Sequence, residues 1–166
     1  MELYILRHAI AVERGTAGFE EDSQRPLTDK GAKKMTRIAQ GMLRFQFSLD
    51  AIYASPFVRA RQTAEIVAEA FKARELLEIT PHLAVGGDPH HLLKLINGAH
   101  GRTASIMVVG HEPYLSTLIS TFIAGTGDLS ITLKKGGLCK LTASRLRYGR
   151  CATLEWLLTP RVLESH

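Results

Sequence analysis

Apolar residues along the chain form short uninterrupted runs that alternate with helical stripes. The runs at 3–6, 51–54 and 105–109 have the length that is typical of fully buried strands. Apolar residues spaced three and four positions apart predict four helices, each with one apolar face directed inward. The first two inward faces are Ala32, Met35, Ile38, Ala39, Met42 and Leu43, and Ala60, Ala64, Val67, Ala68 and Phe71. The other two are Leu92, Leu95 and Ile96, and Leu115, Leu118, Ile119, Phe122 and Ile123. Strands that alternate with helices predict a largely parallel sheet covered on both faces.

Turn and capping residues mark where these elements begin. Thr28 is a candidate N-cap for the first helix. Ser55 followed by Pro56 predicts a helix start, because proline suits the first helical position and serine suits the cap. A turn at 86–89 precedes the shorter third helix, and residues 110–113 end the third strand and open the fourth helix.

The C-terminal part changes character. Residues 138–146 and 151–158 read as two strands joined by a turn at 147–150, which predicts an antiparallel hairpin. We therefore predict an α/β fold: a single-domain, three-layer α/β/α sandwich over 1–166, with a mostly parallel sheet and antiparallel C-terminal strands. The segment 71–105 holds one short predicted helix, so no large helical cap is expected over any site.

Residues 9–26 lack periodicity and carry Glu20, Glu21 and Asp22, so they are interpreted as a long exposed loop. A loop of that length in a compact domain is usually functional or mobile.

Composition narrows the class of protein. With 166 residues, 45% apolar and 22% charged, the chain is typical of one soluble globular domain. No apolar stretch approaches the roughly 20 residues of a membrane span, and Arg7 and His8 interrupt the N-terminal run, which argues against a signal peptide. Cys139 and Cys151 do not form a disulfide framework and are interpreted as buried thiols. These features predict a cytoplasmic location.

The formal net charge of +5 is compatible with nucleic acid, a membrane surface or an anionic substrate. The basic residues are scattered, and the densest group, at 145–150, lies around the predicted hairpin turn. There is no arginine-rich arm or aromatic platform of the kind that binds nucleic acid. An anionic substrate is therefore favoured, without a nucleic-acid or membrane partner.

Unusual polar residues cluster at three strand ends: Arg7 and His8, the segment 55–63 with Arg59, and His111. Ligands of open α/β sheets bind outside the carboxyl ends of the strands, so these side chains are expected at one edge. Guanidinium groups bind phosphate oxygens in pairs of hydrogen bonds, and helix N-termini favour anions. The pattern predicts a phosphate site.

His8 can attack phosphorus if its imidazole is neutral. Nearby Arg7, Arg59 and a cationic His111 are expected to lower the pKa of His8 and to stabilise the charge of the transferring phosphoryl group. Such a site requires no metal and no cofactor. Histidine is a common metal ligand, but His82, His90 and His91 lack the i, i+4 spacing of a helical zinc site and are expected to be surface residues.

Each residue alone also has a structural interpretation. An Arg-His pair is common on surfaces, Ser55 is more typical of a helix cap than of a nucleophile, and His111 alone could be a hydrogen-bonded residue at a helix start. Arg61 is expected to face solvent from the helix surface. Only the joint placement of the three strand ends favours catalysis.

The ordered motifs resemble those of the histidine phosphatase superfamily. Residues 6–9 resemble its Arg-His-Gly signature, 55–63 its Ser-Pro-x-x-Arg-x-x-Gln-Thr segment, and 110–111 its Gly-His element. Residues 25–31 and the C-terminal part resemble the small subgroup of SixA-type phosphohistidine phosphatases.

This resemblance implies that His8 is the phosphorylated nucleophile, that Arg7, Arg59 and His111 form the phosphate pocket, and that Arg25 is a further contact. It implies a monomer without metal or cofactor, acting on a phosphorylated protein such as a histidine-containing phosphotransfer domain.

The sequence departs from the family pattern at two points. Ala9 replaces the usual glycine, and 81–84 lacks the glutamate that serves many relatives as general acid. Asp88 is the fallback proton donor, although a turn cap beside Pro89 is its more ordinary role.

Three alternatives stay open. The chain could be a phosphomonoesterase for a sugar phosphate or phosphoserine. A mutase is less favoured, since it must retain the phosphoryl group inside an enclosed site. From another class, arginine clusters alone can make a non-catalytic phosphoprotein-binding module.

Overall fold

Six strands and the helices between them carry the site. The computed structural model describes residues 1–101 and 104–164. In order along the chain, the elements are β1 (Glu2–Arg7), α1 (Asp29–Met42), β2 (Ala51–Ala54), α2 (Val58–Ala70), β3 (Leu77–Ile79), α3 (Pro89–Ala99), β4 (Ser105–Gly110), α4 (Tyr114–Ala124), β5 (Leu138–Ala143), β6 (Ala152–Leu158) and α5 (Pro160–Glu164).

The strands form a sheet in the order β3-β2-β4-β1-β5-β6. β1, β2, β3 and β4 are parallel, whereas β5 pairs with β1, and β6 with β5, in antiparallel fashion. The predicted α/β class, the mixed sheet and the C-terminal antiparallel strands are confirmed. β4 lies between β2 and β1, so three parallel strands end side by side.

Helices cover the sheet on both faces. On one face, α1, α2 and α5 pack on alternate strand residues such as Tyr4, Ile52 and Met107. On the other face, α3 and α4 pack on the intervening residues, such as Leu3 and Val108. Successive side chains of a strand point to opposite faces, so fully apolar strands such as β4 need helices on both sides.

Some elements differ from the sequence prediction. The prediction missed β3 and α5, because three and five residues are too short to show periodicity. α2 begins at Val58 with Phe57 at the N-cap, two residues later than predicted from Pro56. Between Phe71 and α3 the described chain holds β3 and two single 3₁₀ turns; residues 102 and 103 of the predicted 71–105 segment lie outside the described residues.

Two sequence-based predictions about cysteines and membranes can be compared with the structure. Cys139 and Cys151 are both free thiols; Cys139 is buried as expected, while Cys151 is half-buried. Within residues 1–101 and 104–164, no helix has the length and apolarity needed to cross a bilayer.

Candidate active site

The carboxyl ends of β1, β2 and β4 lie next to one another. Register pairs Arg7 with Gly110 and Ala54 with Val109. Just beyond the strands, the His8 N–H donates to the Gly110 carbonyl at 3.1 Å. Parallel pairing therefore brings together segments that are separated by about 50 positions each, as the sequence predicted.

His8 is held by both ring nitrogens. Nδ1 lies 2.7 Å from the carbonyl oxygen of Ala9, and the Nε–H of Arg59 points to Nε2 at 3.2 Å. A carbonyl can only accept, and a guanidinium can only donate. Nδ1 therefore carries the proton, and Nε2 presents its lone pair.

The His8 ring is neutral at physiological pH. Its side chain is buried, with the residue only 7% exposed, and this burial is the largest cause that lowers its pKa, to about 3. The Ala9 carbonyl opposes the shift, while His111, Arg59 and Arg7 add to it. The expected neutral imidazole is present, although burial outweighs the neighbouring cations as the cause.

His111 lies beside His8, with ring centroids 5.1 Å apart. Burial, followed by the charge of Arg59, lowers the pKa of His111 to about 4, so the ring is neutral and the expectation of a cationic His111 is wrong. Its Nε2 lies 2.7 Å from the Ser55 hydroxyl. Nδ1 is buried and has no hydrogen-bond partner among the described residues.

Ser55 hydrogen-bonds to His111 and is not the N-cap of α2, which is Phe57. The residue is fully buried, and its hydroxyl oxygen also accepts the Phe57 N–H at 3.2 Å. Sequence reasoning assigned it only the capping role, because a contact between residues 55 and 111 has no local signal.

Arg7 lies on the other side of the site. It donates from one terminal nitrogen to the Leu133 carbonyl at 2.9 Å, while its Nε is buried without a partner in the described structure. An unsatisfied buried donor costs about 1–3 kcal/mol. It therefore gives the site a donor that a bound oxyanion could satisfy, and Nδ1 of His111 is a second buried polar atom without a described partner.

The loop 9–26 folds back onto the site through Asp22. Arg59, whose side chain is only 3% exposed, donates to the Asp22 carbonyl oxygen at 2.6 Å and to its carboxylate at 2.8 Å. Arg25 donates twice to the same carboxylate, at 2.9 and 2.7 Å, and Arg14 once at 3.0 Å. Glu20 and Glu21 are exposed, as the sequence predicted for this loop, whereas Asp22 is half-buried and paired with arginines.

Arg25 lies next to the site through its contact with Asp22, and its role as a substrate contact stays a prediction. The Arg25 side chain is 11% exposed, so it is a largely buried cation beside Asp22, which also pairs with Arg59. Arg61, in contrast, faces solvent and lies 3.6 Å from Glu65 in an exposed ion pair, as predicted.

The Gln-Thr end of the 55–63 segment anchors the loop. The Thr63 hydroxyl accepts the Ala9 N–H at 3.0 Å and donates to the Arg59 carbonyl at 2.7 Å. The Gln62 side-chain oxygen accepts the Leu27 N–H at 2.8 Å. Both backbone groups of Ala9 are thus hydrogen-bonded, and the residue is buried.

A cleft of about 440 Å³ adjoins Asp22 and Arg25. Its apolar wall is formed by Phe19, Phe57 and the half-exposed Val85. A larger groove of about 780 Å³ lies between α1 and α2, but it contains none of the candidate catalytic residues. The smaller cleft adjoins the candidate site, because Phe57, which lines it, lies against both His111 and Arg59.

Asp88 caps α3, as its ordinary role predicted. Its carboxylate accepts the N–H groups of His90 and His91 and pairs with the His91 ring. The rings of His82 and His91 stack, with centroids 5.3 Å apart. Among the described residues, no group of three or more His, Cys, Asp or Glu could hold a metal ion.

Comparison with known proteins adds to this geometry. Residues 3–84 match the sequence profile of the histidine phosphatase superfamily, branch 1. The chain is 34% identical over 154 residues to an uncharacterized protein of a Picosynechococcus species, covering 89% of this chain and 88% of that one. It is 29% identical over 149 residues to the phosphohistidine phosphatase SixA of Escherichia coli, covering 82% and 88%.

Among solved structures, the fold is similar to that of the protein histidine phosphatase SixA complexed with tungstate. The TM-score is 0.78 at 25% identity, and the match covers 98% of this chain and 99% of that one. The similarity therefore extends beyond the residues of the family profile and includes the C-terminal strands.

Proposed function

The chain belongs to the histidine phosphatase superfamily, and on that premise we propose that it hydrolyses phosphohistidine on a protein through a phosphoenzyme formed on Nε2 of His8. The observation that carries the proposal is the pair of contacts on the His8 ring. With Nδ1–H bound to the Ala9 carbonyl, the lone pair lies on Nε2, next to Arg59.

In the first step, the hydrogen bond of the Arg59 Nε–H passes from the Nε2 lone pair to a phosphoryl oxygen. The freed lone pair forms a bond to phosphorus while the bond from phosphorus to the substrate imidazole breaks. The imidazole leaves as a neutral molecule, because its ring has already taken a proton from solvent. In the second step, water attacks phosphorus and the P–Nε2 electron pair returns to His8. Inorganic phosphate leaves and one proton passes to solvent.

The surrounding donors stabilise the charge on the transferring phosphoryl oxygens. Arg59 lies at the nucleophile, and Arg7 holds a buried donor without a partner among the described residues. With the Ser55 hydroxyl donating to Nε2 of His111, the Nδ1–H of that neutral ring is a further donor. Pre-oriented donors in a site with little water act more strongly than the same groups in bulk water. Positioning and electrostatic stabilisation are the main requirements of phosphoryl transfer.

Two features support a phosphorylated protein as the substrate. The described chain between Phe71 and α3 has no long helix, and the exposed Val85 lies at the cleft next to the site. Such a site suits a side chain presented by another protein. The Escherichia coli relative, which carries the name phosphohistidine phosphatase, supports P–N chemistry.

We extend the proposal to a histidine-containing phosphotransfer domain as the partner protein. Its phosphohistidine side chain would enter through the cleft at Phe57. The monomeric state and the cytoplasmic location remain predictions from the sequence.

A competition assay tests the proposal. The purified protein is offered a phosphohistidine-carrying protein, a phosphoserine peptide and a sugar phosphate at equal concentrations, and His8→Ala is run in parallel. We expect phosphohistidine to be consumed first by the wild type and no substrate to be consumed by the variant. Preferential release from the sugar phosphate or phosphoserine would favour a phosphomonoesterase. Binding without turnover would favour a phosphoprotein-binding module.

A further inference from the structure

Asp22 contacts three arginines and takes no part in the chemistry described above. Its carboxylate accepts hydrogen bonds from Arg14, Arg25 and Arg59 at 2.7–3.0 Å. Burial acts to raise the pKa of this carboxyl, but the hydrogen bonds and charges of Arg25 and Arg59 outweigh it and hold the pKa well below its usual range. The group is therefore a permanent anion among three cations.

This anion is connected to the nucleophile by one side chain. The Arg59 guanidinium donates to Nε2 of His8 on one edge and to the carbonyl and carboxylate of Asp22 on another. A guanidinium is a rigid plane, so two contacts with Asp22 fix the direction of its Nε–H. Since the Arg59 side chain is 3% exposed, loss of the Asp22 carboxylate would leave a largely buried cation without its charged partner.

We propose that Asp22 is a positioning residue for the phosphoryl site: it fixes Arg59 against His8 and draws Arg25 from the loop to the same place. Without this carboxylate, two largely buried guanidinium groups would repel each other beside the nucleophile. The inference rests on the proposed function, because it assumes that a phosphoryl group binds at His8.

One alternative role makes the opposite prediction. A carboxylate among arginines can also act as a stand-in for phosphate that the substrate must displace. The distribution of free donors favours positioning. Three buried polar atoms lack a hydrogen-bond partner in the described structure: Nε of Arg7 and Nδ1 of His111 at the site, and the Tyr114 hydroxyl in α4. Asp22 makes no hydrogen bond to any of them. A phosphoryl group can therefore use the two atoms at the site while Asp22 stays in place.

The test compares Asp22→Asn with Glu21→Gln. Glu21 is the adjacent carboxylate in the same loop, but it is exposed. We expect Asp22→Asn to lower kcat/KM for p-nitrophenyl phosphate by about 10²-fold, the effect of a misplacement of about 1 Å. Glu21→Gln should leave it unchanged. Asp22→Glu, which retains the charge, should recover part of the loss.

Anion affinity distinguishes positioning from a purely structural role, because a purely structural role would leave the affinity of the folded protein unchanged. Calorimetric titration of the folded proteins with vanadate should show weaker binding in Asp22→Asn than in Glu21→Gln, with a smaller change for inorganic phosphate. Tighter binding of both anions would show that Asp22 is a displaced stand-in and would overturn the proposal. A lower Tm with unchanged vanadate affinity would overturn it as well.

Two further results complete the test. If Asp22→Asn does not fold, Asp22→Glu with Glu21→Asp as its control provides the same comparison, and an unchanged vanadate affinity in Asp22→Glu contradicts positioning. If the wild type binds neither anion, the proposed function itself fails. If the wild type and Asp22→Asn bind both anions equally, only the role of Asp22 fails.

Discussion

Arg59 donates its Nε–H to Nε2 of His8 across 3.2 Å, although the two residues lie 51 positions apart in the chain. The contact joins the end of β1 to the first turn of α2. It places a fixed positive charge at the nitrogen that would receive phosphorus, and together with the Ala9 carbonyl it selects the reactive tautomer. The predictions below follow from this contact and from the residues that maintain it.

The first prediction concerns the nucleophile. His8→Ala should remove essentially all phosphatase activity. The variant should still fold, because the side chain lies at a strand end and not in the apolar core. Rapid quench with labelled substrate should trap an acid-labile phosphoenzyme in the wild type. Label on a serine, or full activity in the variant, would contradict the assignment.

The second prediction concerns the arginines. Arg59→Ala and Arg7→Ala should each lower kcat by about 10²–10³-fold, as does the loss of an oxyanion donor in other enzymes. Arg61→Ala is the matched control for Arg59. It lies on the same helix but forms only an exposed ion pair with Glu65, and such pairs contribute about 0–1 kcal/mol. An equal effect of the two helix variants would refute a specific role for Arg59.

The third prediction is that the reaction needs no metal and is inhibited by vanadate. The donors at the site are arginine and histidine side chains, and vanadate mimics the trigonal-bipyramidal phosphoryl group. Activity is measured before and after exhaustive chelation. Restoration of lost activity by zinc or magnesium would be incompatible with the mechanism.

The fourth prediction is a preference for P–N over P–O substrates. An alkoxide leaving group needs a positioned proton donor, whereas an imidazole with a parent pKa of about 6.5 can be protonated from solvent. Asp88 is engaged as the cap of α3, and Glu112 accepts the Ser116 N–H at the start of α4. We therefore expect kcat/KM to fall from phosphohistidine to p-nitrophenyl phosphate to alkyl phosphates.

The variants Asp88→Asn and Glu112→Gln show whether either carboxylate acts as a proton donor. Neither should change the order of the three substrate classes. If one of them selectively abolished a high wild-type activity on alkyl phosphates, that residue would be the general acid, and the chemical argument for phosphohistidine would be lost.

The fifth prediction is a dependence of stability on pH. The pKa values of His8 and His111 are lowered to about 3 and about 4 in the folded protein, while an unfolded histidine titrates near 6.5. Between about pH 6.5 and 4 the unfolded chain binds two protons that the folded protein does not. This contribution is fully present above pH 6.5 and is lost as the pH falls, by up to about 2.7 kcal/mol per pH unit.

Chemical denaturation between pH 7 and 4 measures this slope. Because other groups also titrate, the slope of the wild type is compared with the slope of His8→Asn, which lacks one of the two histidines. The variant should lose stability less steeply over this range. Parallel curves would mean that His8 binds a proton equally well in both states.

A sixth change tests how the loop is seated. Gly31 in α1 packs directly under the loop, and a Cβ at this position would lie 2.0 Å from the Ile10 carbonyl oxygen. Gly31→Ala should therefore destabilise the protein by about 1–3 kcal/mol, as overpacking does elsewhere. Gly98→Ala is the control, since a Cβ there has no neighbour within 4 Å in the described structure. If Gly31→Ala left the free energy of unfolding unchanged or increased it, the loop would be able to move away from α1 at little energetic cost.

The linear pattern was sufficient for the strands, helices and site residues whose signals are local. An uninterrupted apolar run such as 105–109 can be satisfied only between two helical layers, and the sheet confirms it. The rule that ligands bind at the carboxyl ends of parallel strands predicts from the sequence that His8, Arg59 and His111 lie close together, and the structure places them so. The sequence alone thus determined the fold class and the location of the site.

The tertiary structure decided how these residues act. The tautomer of His8, the neutral state of His111, the use of the Ser55 hydroxyl by His111 and the partners of Asp22 all depend on contacts between distant segments. Burial and hydrogen-bond direction set protonation, and both arise only when the chain has folded. Composition gives the charges of a site, but only the three-dimensional packing places each charge next to its partner and away from water.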